Sequence, residues 1–198
     1  EKTLLVEGPS DIIYLLHAIN KLKKENKIDI DLNDLSIVDA GSSENYIAMA
    51  KLMLSEGREI VALLDGDKSG DTVAGQLGKV CEKEIKDKVL KIHKLPKDKS
   101  SEDVFANLSV LKDAVKTVAT NLVSNEFREF KEGLNLDAEV KKIELKATTT
   151  LGVTLDKNTS EFFKEKAKIS KLSIALQYED TITLGNDLPD TASIEIEK

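Results

Sequence analysis

Two short apolar runs in this chain end abruptly in acids. The first is Thr3-Leu-Leu-Val-Glu7-Gly-Pro-Ser-Asp11 and the second is Ile60-Val-Ala-Leu-Leu-Asp65-Gly-Asp67. Runs of that kind read as fully buried strands, with the carboxylates placed where each strand leaves its sheet. Ligands of open α/β sheets bind at those carboxyl ends. Asp65 and Asp67 are two apart and so point the same way at a strand end. Carboxylates placed like that repel unless a cation or a proton lies between them. Hard divalent cations take oxygen ligands of this type. The chemistry implied is metal-dependent phosphoryl transfer. The bland alternative, a glycine-centred turn with acids chosen for turn chemistry, fits an isolated D-x-D. It fits less well when an earlier strand ends in Glu7-Gly8.

Other acids extend the set. Gly8 suits a sharp exit from the first strand, and Asp11 stands one helical turn beyond Glu7. Asp11 reads equally as a stabiliser of a helix N-terminus, and the two roles are compatible. Asp39 follows a further apolar run and would add a third acidic edge if its strand neighboured the other two. Glu102 and Asp103 read either as a distal ligand pair or as a helix start. His17 and His93 are far apart in sequence and read as structural. No Cys/His spacing suggests zinc, no G-x-x-x-x-G-K-[ST] suggests a nucleoside triphosphate, and no credible Ser/His/Asp or Cys/His set suggests a protein nucleophile.

The elements that must position these acids alternate strand and helix. Leu4 to Val6 reads as a strand, and Pro9-Ser10-Asp11 opens a helix with Ile12, Leu15, Leu16 and Ile19 on its apolar face. Leu35 to Val38 is a second strand, with Ser43 as cap of a helix from Glu44 to Ser55. Ile60 to Leu64 is a third strand, followed by a helix to about Lys86 that Gly75 and Gly78 weaken. Val89 to Ile92 is a fourth strand. Single helices between strands imply βαβ crossovers and a mostly parallel sheet. Lys94 to Ser101 is a polar loop, and Ser100 to Asp103 resembles a capping box. From Asn107 the pattern is helical and charged, through Asn125–Phe130, Asp137–Lys146 and Ser160–Tyr178, and the tail from Glu179 has no strong pattern. The expected organisation is a core over 1–105 and a helical extension over 106–198.

Bulk properties bound the function. With 198 residues, 40% hydrophobic and 33% charged, the chain is a soluble globular type. Its net charge of −7 argues against broad, unaided nucleic-acid binding, because phosphate neutralisation needs a basic footprint. Cations in the acidic site, a partner or a further domain could offset that charge. The single Cys81 excludes an intramolecular disulfide framework and fits a reducing compartment. No apolar run approaches the roughly 18 residues of a membrane span, and no signal peptide is apparent. A cytoplasmic location is expected. A chain that opens at Glu1-Lys2 directly before a strand reads as a piece of something longer.

Taken together, the motifs resemble the Toprim domain of topoisomerases, bacterial primases, small RNA-maturation nucleases and OLD-family nucleases. That pattern places Glu-Gly after the first strand, Gly after the second and Asp-x-Asp after the third. Here those are Glu7-Gly8, Asp39-Ala40-Gly41 and Asp65-Gly66-Asp67 in order, over about residues 1 to 105. The closest likeness is to the OLD type, whose first motif is E-G-x-[ST]-[DE], matched by Glu7-Gly8-Pro9-Ser10-Asp11. The OLD type also carries an E-D pair, matched by Glu102-Asp103, and a late helix with a catalytic Lys, for which Lys171 is favoured over Lys168.

The resemblance implies a Rossmann-like α/β core with a C-terminal helical extension, and DNA as substrate for a nuclease reaction. Glu7, Asp65 and Asp67 would hold one Mg²⁺ or Mn²⁺, and Glu7, Asp11 and Glu102 a second. It also implies an ABC-type ATPase domain on the N-terminal side, a possible homo-oligomer formed through that domain, and a place in anti-phage defence. The alternatives are a non-catalytic Toprim interaction module, or a Toprim fragment of a primase or topoisomerase.

Overall fold

A computed structural model describes residues 2–126, 171–183, 185–189 and 192–197. Four strands form one sheet: β1 (Lys2–Val6), β2 (Leu35–Asp39), β3 (Glu59–Leu64) and β4 (Leu90–Lys94), in the order β2-β1-β3-β4. Every pairing is parallel, with Leu5 opposite Val38 on one side and Ala62 on the other. The helices are α1 (Pro9–Lys24), α2 (Tyr46–Ser55), α3 (Lys68–Val80), α4 (Glu82–Lys86), α5 (Ser101–Phe105), α6 (Leu108–Glu126), α7 (Lys171–Thr181) and α8 (Ala192–Glu197). The chain divides into two compact units: residues 1–106 with 187–198, and residues 107–186.

In the first unit the apolar runs lie where a doubly covered sheet needs them. Leu5, Ile60, Ala62, Leu64 and Leu90 pack with Ala50 and Met53 of α2 and with Val73 and Leu77 of α3. By strand alternation, Leu4, Val61 and Leu63 face the other side, where α1 lies against β1 and β2. Right-handed crossovers require this division of helices between the faces. The chain leaves β1 toward β2 and leaves β3 toward β4. The two central strands therefore part at their carboxyl ends, which makes β1/β3 the topological switch point.

Several local expectations differ from the fold. Helix α2 starts at Tyr46, after a turn in which the Asn45 amide donates to Ser42 O at 3.1 Å, and Ser43 does not cap it. The helix expected to reach Lys86 stops at Val80, where buried Cys81 turns the chain into the short α4. Gly75 and Gly78 lie inside α3 without breaking it. Gly8 has φ −149° and ψ 171°, an extended backbone that any residue adopts, so no glycine is required for the strand exit. The patternless tail contains α8, whose Glu195 meets His93 of β4 at 2.8 Å. Of the late helical stretches, Phe127–Phe130, Asp137–Lys146 and Ser160–Ser170 lie outside the described residues.

In the second unit α6 and α7 pack together, burying Leu111, Ala114, Val115, Ile174 and Tyr178. Asn107 caps α6 by accepting from the Val110 amide at 3.0 Å. Its own amide donates to the Tyr178 hydroxyl at 3.0 Å.

His17, half-buried on α1, gives the first unit a pH dependence. Burial, and then the Lys21 charge one turn on, lower its pKa from the ordinary 6.5. The unfolded chain therefore takes up a proton at a higher pH than the folded one. Stability is expected to be full above about pH 6.5 and to fall as the pH drops from there through the folded-state value. Replacing His17 with glutamine should flatten this slope in denaturation midpoints measured from pH 7.5 to 5. An unchanged slope would mean that His17 contributes nothing to it.

Candidate functional site

The acids gather at the switch point because the two strand ends lie side by side. Glu7 follows β1 and is half-buried; Asp65 follows β3 and is half-buried; Asp67 is exposed at the start of α3. Asp11, in the first turn of α1, is 8% exposed. Its Oδ2 accepts from the Gly8 amide at 2.9 Å, while the Asp11 amide donates to Gly8 O at 3.1 Å. That is the helix-start role foreseen for it. Asp67 is itself the N-cap of α3, its Oδ1 accepting from the Gly70 amide three residues on at 2.8 Å. Asp65 Oδ1 accepts from the Ser101 amide at 3.1 Å, across from another element.

The β4–α5 loop holds this turn in place. The Gly66 amide donates to Lys99 O at 2.7 Å, and the Asp98 amide donates to Gly66 O at 2.8 Å. The Leu95 amide donates to Leu64 O at 2.8 Å. Gly66 lies so close to the loop that a Cβ there would stand 1.9 Å from Pro96 O. The polar loop read from sequence is thus part of the site's frame.

One group that the sequence reading passed over lies at the centre. Tyr46, fully buried, extends its hydroxyl from the start of α2 to the Leu5 and Leu63 carbonyls, the latter at 2.9 Å. These carbonyls belong to β1 and β3 where the two strands part. Burial, and then the charges of Asp11 and Glu7, push the phenol far above its ordinary range; Asp65 adds to the rise and the bond to Leu63 opposes it. The hydroxyl is therefore a permanent donor, and the Glu7, Asp11 and Asp65 carboxylates all bear on it. A phenol has one proton for two carbonyls. Tyr46→Phe removes the donor with no other loss of volume, and is expected to cost about 1–2 kcal/mol in chemical denaturation. A variant as stable as the parent would show that the strand ends do not need the bond.

The remaining candidates differ in how near they stand to these strand ends. Asp39 ends β2 opposite Val6 of β1; among the described residues β2 borders β1 alone, so a whole strand separates Asp39 from β3, roughly 10 Å at normal strand spacing. Asp103 belongs to a capping box at α5, its Oδ2 accepting from the Ser100 amide at 3.0 Å and from Ser100 Oγ at 3.1 Å. Glu102, one residue from the amide that holds Asp65, is 2% exposed. Lys171 is the first residue of α7, in the second unit, and is exposed. Lys168 lies outside the described residues.

The donor chemistry at the switch point, carboxylate oxygens on a rigid sheet edge, fits a hard divalent cation. Their placement is another matter. Among the described residues, no three His, Cys, Asp or Glu side chains stand together as a group able to hold a metal ion. Asp11, Asp65 and Asp67 each have an oxygen bonded to a backbone amide instead.

Comparison with known families bears on the same segment. The model of the overcoming lysogenization defect protein-like TOPRIM domain matches residues 1–67. Residues 1–67 are an OLD-like Toprim domain. No curated protein and no solved structure matches the chain. The Toprim segment runs from β1 to the second acid of the Asp65-Gly66-Asp67 turn, and so contains Glu7, Asp11, Asp39, Asp65 and Asp67. Glu102 and Lys171 fall outside it. Among the described residues, no helix is long and apolar enough to cross a membrane.

Proposed function

We propose that this chain is the metal-dependent DNA-cleaving domain of an OLD-family protein, hydrolysing phosphodiester bonds. The observation that carries the reading is that Glu7 follows β1 and the Asp65-Gly66-Asp67 turn follows β3 where these two neighbouring strands part, within an OLD-like Toprim domain. Glu7, Asp65 and Asp67 are the residues that would hold one Mg²⁺ or Mn²⁺, and Glu7, Asp11 and Glu102 those that would approach a second. Bound divalent cations supply Lewis acidity and a water ionised near neutral pH. Asp39, on the far side of β1, would act on the edge of that site rather than in it. The protein's own part is to fix the strand ends through Tyr46 and the Asp65-Gly66-Asp67 turn through the β4–α5 loop. Lys171 would offset charge developing on the scissile phosphate. DNA is the substrate proposed. An ABC-type ATPase domain preceding the Toprim segment, and oligomerisation through it, complete the proposal, with phage defence in the cytoplasm as the setting.

The non-catalytic module remains the second reading, favoured by the backbone amides that already engage three of the acids. Nicking of supercoiled plasmid by the 198-residue chain in Mg²⁺ or Mn²⁺, abolished by EDTA, separates the two. Plasmid left intact in both metals supports the module.

A further inference from the structure

An acidic chain that cuts DNA must still draw a polyanion to its carboxylates, and the fold contains a local answer. Residues 91–99 read Lys-Ile-His-Lys-Leu-Pro-Lys-Asp-Lys, four lysines and one acid in a chain of net charge −7. A lysine run is ordinarily a solvated face. This one is bonded by its backbone into the carboxylate turn: Gly66 bonds with both Lys99 and Asp98, and Leu95 bonds with Leu64. Lys97 and Lys99 are exposed, as is Lys68, which follows Asp67 on the other limb of the same turn. Lys94 is bound to Asp71 of α3. Among the described residues, Lys97, Lys99 and Lys68 join no ion pair of that kind.

We propose that the β4–α5 loop, through Lys97 and Lys99 together with Lys68 across the Asp65-Gly66-Asp67 turn, is the surface that receives the phosphodiester backbone of a nucleic acid. The inference rests on the nuclease reading for its biological sense, and on charge complementarity for its occupant. Lysine ammonium groups are point charges without the planar fork that reads base edges or clamps a phosphate bidentately. Contacts of this kind position the strand and carry no sequence information. The recognition is therefore of backbone alone, with affinity that falls steeply as salt rises. The backbone bonds between loop and turn keep these charges beside the carboxylates, so a strand held by the loop lies next to Asp65 and Asp67.

The test is fluorescence anisotropy of a labelled 20-base-pair DNA duplex, titrated with the full chain in Ca²⁺ buffer at several salt concentrations. The double variant Lys97→Ala/Lys99→Ala is expected to bind at least about 10-fold more weakly, with the slope of log K against log salt reduced by about 2. The control Lys23→Ala/Lys24→Ala removes two positive charges from the far end of α1 and should leave the slope unchanged. Equal losses in both variants, or no loss in the first, overturns the proposal, as does a parent chain that fails to bind the duplex. The two readings fail separately. Lysine-dependent binding without nicking in Mg²⁺ or Mn²⁺ removes the nuclease and leaves the surface. Nicking with undiminished binding by the double variant removes the surface and leaves the nuclease.

Discussion

Asp65→Asn is expected to reduce metal-dependent plasmid nicking by at least about 100-fold, more than the 10–100-fold typical of residues that only support a ligand, while leaving the fold intact. The asparagine carbonyl keeps the size of the carboxylate and can still accept from the Ser101 amide, a bond of 3.1 Å in the parent. What is lost is the charge. Because Glu7 and Asp11 act on the same phenol as Asp65, removing one negative charge relieves repulsion within the group. Thermal stability should therefore be unchanged or slightly raised. Asp67→Asn is a companion test, since asparagine caps a helix about as well as aspartate and the Gly70 amide keeps its acceptor. Lower activity with equal or higher stability is the signature of a residue kept for function at some expense of stability. Full nicking activity in Asp65→Asn, or a large loss of stability, would place Asp65 in the fold rather than in the chemistry.

The strands that carry these acids were legible because a strand buried on both faces is written as a continuous apolar run. Leu4 to Val6 and Ile60 to Leu64 could be read in that way, and the acids after them marked the carboxyl edge. Strand order was not legible, since β2 could have lain on either side of β1. The place of Asp39 depended on that order, and among the described residues β2 borders β1 only. Tyr46 was missed because its partners are backbone carbonyls of two strands, which sequence does not display. The clamp from the β4–α5 loop was missed for a like reason, since its bonds to Gly66 and Leu64 run backbone to backbone. Helix α8 has too short an apolar pattern to announce itself, and its Glu195 finds His93 more than a hundred residues away in sequence. Capping chemistry, being local, was legible where it held: Asp11 and Asp103 each accept from an amide three residues earlier.

Gly70→Ala is expected to lower both stability and activity, the opposite pattern from Asp65→Asn. A Cβ at Gly70 would stand 2.0 Å from Asp65 O, and one at Gly66 would stand 1.9 Å from Pro96 O. Both obstacles are backbone atoms, so no side chain can rotate out of the way. Real Cβ contacts essentially never fall below 3.0 Å, so each substitution forces the turn to move by about 1 Å. Overpacking of this kind costs about 1–3 kcal/mol, and a displacement of about 1 Å at reacting groups can cost about 100-fold in rate. Gly70→Ala displaces Asp65 directly; Gly66→Ala separates the turn from the loop that holds it. Gly75→Ala is the internal control. It lies in the middle of α3 with nothing within 4 Å of a new Cβ, and should stabilise the chain by about 0.5–1 kcal/mol through helix propensity while leaving nicking unchanged. Denaturation midpoints and nicking rates measured on the three variants together decide the matter. If Gly70→Ala retains parental nicking, the position of Asp65 is not critical to the reaction, and the carboxylate must act through a geometry other than the one at this strand end.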